Sequence, residues 1–206
     1  MARKTKAEAE RTYHALLDAA TLLFIEQGVA KTTLNDIAHR ADMTRGAVYW
    51  HFKNKDAVIQ ALWERNAKTM HDGFVYRLKN LDMTCPAADF RDAIKALLRR
   101  AVTDPQLSQA MRIVMHCIEF TDEKTELQSF LYTCRDEFYE ALQVALQTLE
   151  QQGALRRDLP VAVLISSLWA YLNGLVHTNL EPGSKTVDLQ AYGDKLLDLW
   201  LDAVLK

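Results

Sequence analysis

The chain is poor in the residues that interrupt regular structure. Its 206 residues include only 7 Gly and 4 Pro. A many-turned β-fold or a disordered, low-complexity chain needs more of both, so these classes are excluded. Cysteine is scarce as well. Cys85, Cys117 and Cys134 are odd in number and show no CxxC spacing, which argues against a disulfide framework or a zinc site and fits reduced thiols in a cytoplasm. No uninterrupted apolar run approaches the roughly 20 residues needed to span a bilayer, so no membrane partner is expected. The opening MARKTKAEAER leads into an amphipathic segment, unlike the uniformly apolar stretch of a secretory leader. Enzyme signatures are missing too. The six histidines form no HExxH, and there is no GxSxG, Walker or GxGxxG segment, so neither catalysis nor a cofactor is expected.

A large excess of one charge is also lacking. Lys and Arg number 25 against 27 Asp and Glu, a formal net of -2. The distribution is more informative than the sum. Residues 1–60 hold nine basic and seven acidic side chains, whereas the remainder is net acidic. A mildly basic head on an acidic body is the asymmetry that orients a nucleic-acid surface.

What the chain does have is helical periodicity, with 49% hydrophobic residues arranged in stripes rather than alternation. A first helix is expected from about Glu8 to Gln27, with Leu16, Leu17, Ala20, Leu23 and Phe24 on one face and Gly28 as its stop. The stretch TTLNDIAHRADMTRGAVYWHFKNK, Thr32 to Lys55, then carries two short helix signatures. Thr33 caps the first, with Asp36 completing a capping-box-like pattern ahead of Leu34, Ile37, Ala38 and Ala41. Asp42-Met43 breaks it, and Thr44 caps a second helix running through Tyr49 and Trp50. Two short helices about a turn apart are a helix-turn-helix, whose second helix enters the DNA major groove.

That second helix carries groups suited to DNA. Thr44, Tyr49, Trp50, His51 and Lys55 offer donors to phosphate oxygens, which position a protein without reading sequence. Arg45 is the best base reader, because a guanidinium pairs bidentately with a guanine edge. Gly46 lets the backbone approach closely, and Ala47 either faces a base or packs inward with Val48. Phe52 reads as core. Tyr49 and Trp50 do not read as pure core, since three consecutive large aromatics around a helix cannot all point inward. Lys53 reads as a solvated charge.

TRGAVYWHFKNK, preceded by TTLNDIAHRADM, closely resembles the DNA-binding signature of TetR-family transcriptional repressors. MARKTKAEAERT and Tyr-Trp-His-Phe are similar to the AcrR-type subgroup that controls multidrug efflux pumps. The likeness is dense over roughly residues 1–60 and thins to fragments beyond, such as IEFT after His116 and AYLNGL at Ala170–Leu175; where the subgroup often has a basic residue after its His, this chain has Cys117. The resemblance implies a helix-turn-helix DNA-binding head over residues 1–55. It also implies a larger helical body over residues 56–206 that binds an inducer and dimerises through its last two helices. Carried over by position, Thr33, Thr44, Tyr49, Trp50, His51 and Lys55 fall at phosphate contacts, and Arg45 and Gly46 at bases or the groove floor. The expected partners are a double-stranded DNA operator, a second copy of the chain and a hydrophobic or amphipathic small-molecule inducer.

The rest of the chain also reads as helix, for an all-α fold of about nine helices. Asp56 starts a helix continuing towards Leu81, and DMTCP, ending at Pro86, marks a candidate boundary. Asp104-Pro105 caps a further helix, Thr121 or Asp122 opens a long one closed by Gly153, Pro160 opens an apolar helix to about His177, and Asp188 caps the last. Met111, Met115, Cys117, Phe120, Cys134, Phe138, Trp169, Leu172 and Asn173 are candidates to line an apolar cavity. Asn173 and His177, one turn apart, can share a face. Ordinary core packing explains a Met or aromatic at helical spacing equally, and His116 and His177 also read as satisfied buried or interface groups. The competing function is an architectural or adaptor DNA-binder of the same fold with no inducer.

Overall fold

The computed structural model describes residues 6–118, 125–156, 159–181, 183 and 187–206. Among these are ten α-helices and one π-turn. They are α1 (Lys6–Lys31), α2 (Leu34–Arg40), α3 (Arg45–His51), α4 (Lys55–Asn66), α5 (Lys68–Lys79), α6 (Pro86–Thr103), α7 (Pro105–Arg112), the π-turn Ile113–Cys117, α8 (Glu126–Gln151), α9 (Val161–Leu180) and α10 (Leu189–Val204). The only β-type pairing among the described residues is an isolated antiparallel bridge, Leu155 to Leu205, which ties the C-terminus to the loop after α8. The chain is all-α.

Two compact units are present, Met1–Ala67 with Gln109–Phe130 and Lys68–Ser108 with Leu131–Lys206. One division between the units falls after Ala67. There the anticipated single helix from Asp56 to Leu81 breaks into α4 and α5. Ala67, the C-cap of α4, is fully buried with a stretched φ of -117° at ψ -28°, so packing interrupts a sequence with no local breaker. This interruption is why the helices exceed nine.

The first unit is built on α1. Leu16, Leu17, Ala20 and Phe24 form its buried stripe, with Ile37 and Ala38 of α2, Val48 of α3 and Val58, Ile59 and Leu62 of α4 also buried. Gly28 adopts φ 82°, a conformation L side chains rarely hold, and it bends the C-terminal end of α1 where the stop is expected. The π-turn packs against α1 and buries Ile113. Thr125 caps α8: its hydroxyl accepts from the Gln128 amide at 3.1 Å, while Gln128 Oε1 accepts from the Thr125 amide at 3.2 Å. That capping box lies in TELQ, just after the expected Thr121–Asp122 start, which falls outside the described residues.

In the second unit α6 and α10 pack along their lengths. Gly193 makes this possible, because a Cβ there would stand 3.3 Å from Leu98 Cδ2. The flanks carry a charge ladder at helical spacing. Arg91 pairs with Asp198 and Asp202, both at 2.6 Å, and Lys95 with Asp198 at 2.6 Å. Arg99 Nε donates to Asp194 at 2.9 Å. Two anticipated caps hold: Asp104 accepts from the Gln106 and Leu107 amides, and Asp188 from those of Gln190 and Ala191.

The apolar helix expected from Pro160 is α9, which is long and apolar enough to cross a membrane by length and composition alone, with 28% of its most apolar window buried. Ser166, Ser167 and Asn173 interrupt its apolar runs, but none of its 20 residues is charged.

Candidate nucleic-acid interface

The helix-turn-helix is held by local hydrogen bonds. Thr33 and Asp36 form the reciprocal capping box: the Asp36 amide donates to Thr33 Oγ1 at 3.1 Å and the Thr33 amide to Asp36 Oδ2 at 2.8 Å. The Thr33 hydroxyl, donating to Asp36 Oδ2 at 2.8 Å, and after it the Thr33 amide hold the Asp36 carboxyl below its ordinary range. At the other end of α2 the Asp42 amide donates to the His39 carbonyl and the Met43 amide to the Ala38 carbonyl. This is a Schellman closure with Asp42 at φ 54°, the left-handed position usually given to Gly. Asp tolerates it because its short polar side chain suits that region. The turn then delivers Thr44, whose Oγ1 accepts from the Ala47 amide at 3.3 Å and starts α3.

α3 is anchored on one side and open on the other. Val48 is fully buried and Phe52, at its C-cap, is 2% exposed. The Phe52 ring stacks on Tyr13 of α1, with centroids 5.3 Å apart and planes at 27°. Opposite, Thr44, Arg45, Gly46, Tyr49 and Trp50 are exposed, Trp50 to 73%. An exposed indole of that size on a tight helix is an unusual use of apolar area. The Arg45 guanidinium lies 5.3 Å from the centroid of the Tyr49 ring, one turn along. A Cβ on Gly46 would meet nothing nearer than Thr44 Oγ1 at 3.9 Å, so the protein itself does not require glycine there. His51 is half-buried, edge-on to Trp50 at 4.5 Å and tilted against Tyr13 at 5.6 Å. Ala47, left open between base and core, is half-buried.

Two lysines make contacts that their sequence reading did not include. Lys55 Nζ donates to the Val29 carbonyl at 2.7 Å and the Ala30 carbonyl at 3.3 Å. It thereby satisfies the orphan carbonyls after Gly28, as cations at a helix C-terminus do. Lys53 is ion-paired with Glu126 at the surface.

Of the ligand candidates, Met111, Met115 and Cys117 lie half-buried in the 109–130 segment of the first unit, and Phe120 lies outside the described residues. Burial pushes the Cys117 thiol pKa up, against the opposing pull of the Arg112 charge. The second unit brings Phe138 and Trp169 into edge contact at 5.0 Å, and Asn173 Nδ2 donates to the Trp169 carbonyl at 2.9 Å. Leu172 is buried, Cys134 is half-buried, and His177 is exposed. Three contributors were missed: Phe74 stacks on Phe138 at 5.0 Å, Tyr139 tilts against Trp169 at 5.1 Å, and buried His71 bonds the Cys134 carbonyl through Nε2 at 2.9 Å. His71, Phe74 and Leu78 repeat at helical spacing, the signal that could have found them.

An exposed, cap-positioned α3 following a tight turn defines a DNA-binding regulator. Residues 16–62 match the bacterial regulatory proteins of the tetR family, and residues 85–205 match the MAATS-type transcriptional repressor C-terminal region. The probable HTH-type transcriptional regulator ArpR of Pseudomonas putida is 34% identical over 98% of this chain and 95% of its own. Among solved structures, NalD, the secondary repressor of the MexAB-OprM multidrug efflux pump in Pseudomonas aeruginosa, is 26% identical at a TM-score of 0.84, covering 98% of this chain and 99% of that one. The complex of SmeT with triclosan is 32% identical at a TM-score of 0.77, covering 95% and 92%; SmeT is the repressor of the Stenotrophomonas maltophilia multidrug efflux pump SmeDEF. The chain belongs to the TetR family of transcriptional regulators, and it is not an enzyme.

Proposed function

We propose that the chain is a cytoplasmic, homodimeric repressor of a multidrug efflux operon, released from its operator by a hydrophobic or amphipathic small molecule. The observation that carries the DNA half is the outward face of α3, where Thr44, Arg45, Gly46, Tyr49 and Trp50 are exposed together around a buried Val48 and Phe52. Arg45 reads a base edge, while Thr33, Thr44, Tyr49, Trp50, His51 and Lys55 set the register on phosphates and Gly46 lets the backbone close on the groove. Lys55 reaches a phosphate with the N–H left over from its two carbonyls. In a dimer the two copies of α3 address half-sites about 34–36 Å apart or a multiple of that spacing.

The apolar, largely unburied α9, with Leu199 of α10 at 70% exposure, supports pairing of two copies through the last two helices. Exposed apolar area of that kind marks an interaction surface. The efflux assignment draws on NalD and SmeT, both repressors of such pumps, and the inducer on the SmeT–triclosan complex. Phe138, Trp169, Asn173, His177 and Cys134 in the second unit, and Met111, Met115, Cys117 and Phe120 in the first, are the proposed ligand contacts. Induction is then a difference in ligand affinity between DNA-competent and incompetent states, with coupling of about 1–3 kcal/mol.

The test is binding of the purified protein to its own promoter region, with and without hydrophobic cations, antibiotics and apolar acids. Release by at least one compound at unchanged salt is the expected result. Sequence-specific binding that no compound disturbs would favour the adaptor without an inducer.

A further inference from the structure

Four arginines among the described residues are half-buried: Arg65, Arg77, Arg91 and Arg112. Three are neutralised by carboxylates, Arg65 by Asp18 at 2.8 Å, Arg77 by Asp89 at 2.6 Å and Arg91 by Asp198 and Asp202 at 2.6 Å. Arg112 is the exception. It has no carboxylate partner among the described residues, and its Nε is buried with no hydrogen-bond acceptor. Taking even one guanidinium N–H out of water without an acceptor is costly, and native structures rarely keep such a donor without a use for it.

Its surroundings are irregular in backbone and flanked by methionines. Arg112 is the last residue of α7, where the helix widens into the π-turn Ile113–Cys117. Such bulges re-aim side chains and recur at functional positions. Met111 and Met115, on either side in sequence, are half-buried and adaptable in shape. The Arg112 charge acts on the thiol of Cys117, half-buried at the other end of the same turn.

We propose that Arg112 is the recognition point for an anionic oxygen group, carboxylate, sulfonate or phenolate, carried by an otherwise apolar small molecule. The inference rests on the ligand-responsive reading above and narrows its ligand from any amphiphile to an acidic one. The guanidinium supplies the charge-assisted hydrogen bonds, the methionines supply adaptable apolar contact, and no covalent step is involved.

The experiment uses the full-length protein and two fluorescent probes with the same rings. Anilinonaphthalene sulfonate carries one anionic group, and N-phenylnaphthylamine carries none. Wild type is expected to bind the sulfonate more tightly than the neutral probe. Arg112→Met and Arg112→Gln should each weaken the sulfonate about tenfold or more while changing the neutral probe less than about twofold, as expected for loss of a charged hydrogen bond. Without probe, the Arg112→Met protein should melt no lower than wild type, because an unpaired half-buried charge has been removed. A lower melting temperature together with equal loss of both probes would make Arg112 a structural residue and overturn the inference. Unchanged sulfonate binding in both variants would overturn it while leaving the ligand-responsive reading intact. Failure of wild type to bind either probe would count against both.

Discussion

The helix-turn-helix of the first unit is shaped by hydrogen bonds between neighbours in the chain, and the α6–α10 pairing of the second by ion pairs between residues far apart in it. In the helix-turn-helix, the bonds that set the geometry link Thr33 to Asp36, Ala38 to Met43, Thr44 to Ala47 and Asn54 to Ala57. None spans more than five residues, so α3 is presented by a rigid local frame. In the second unit the defining contacts join Arg91 to Asp198 across 107 residues and Arg99 to Asp194 across 95. A surface that must hold fixed donors against DNA gains from local determination. In the function proposed, the body's ligand would shift a population between states, a task suited to contacts that longer-range packing can rearrange.

Breaking the head should therefore have the larger effect at a single residue. Phe52→Ala empties the contact with Tyr13 and should cost about 3–5 kcal/mol in chemical denaturation, with loss of operator binding. In the body, Gly193→Val forces a branched side chain against Leu98 and should cost about 1–3 kcal/mol in the same measurement. Operator binding should survive that change if each unit keeps its own frame. Thr44→Ala removes the cap of α3 and should cost about 1 kcal/mol, seen as faster amide exchange at Gly46 and Ala47 with little change elsewhere.

Acid should act on the body through the ladder. Hydrogen bonds from Lys95 and Arg99 hold the Asp198 and Asp194 carboxyls, respectively, below the ordinary aspartate range. A depressed folded value means that their contribution is complete above the unfolded value of about 3.9 and is lost as pH falls through the folded one. A thermal melt followed from pH 6 down to about pH 2 should lose part of its midpoint in that window, and Asp198→Asn should flatten the loss. Both carboxylates are partly exposed, so the effect is the smallest of the set.

The same contrast explains what the sequence made legible. Thr33, Asp42, Thr44 and Phe52 were readable because caps, a left-handed turn and an aromatic on the buried face leave signatures within a few residues. The Thr125–Gln128 capping box had such a signature and was overlooked in favour of Thr121 and Asp122. The break at Ala67 had none, because alanine favours helix and only packing stops it there. Nor could spacing alone pair Arg91, Lys95 and Arg99 with Asp194, Asp198 and Asp202, since two matching charge stripes on separate helices do not announce that they meet. The hold of Lys55 on the end of α1 was invisible for the same reason. The apolar character of α9 was legible, because Pro160 opens a run of 20 helical residues with no Asp, Glu, Lys or Arg.

The central claim is that the exposed face of α3 divides its work, with Arg45 reading sequence and its neighbours holding the backbone. The most direct test measures wild type and Arg45→Ala against a series of operator variants and unrelated duplex DNA at several salt concentrations. The account predicts that Arg45→Ala loses about 1–3 kcal/mol of discrimination at one base pair per half-site, with non-specific affinity falling far less. A uniform loss across all sequences, leaving the preference among operator variants intact, would contradict it.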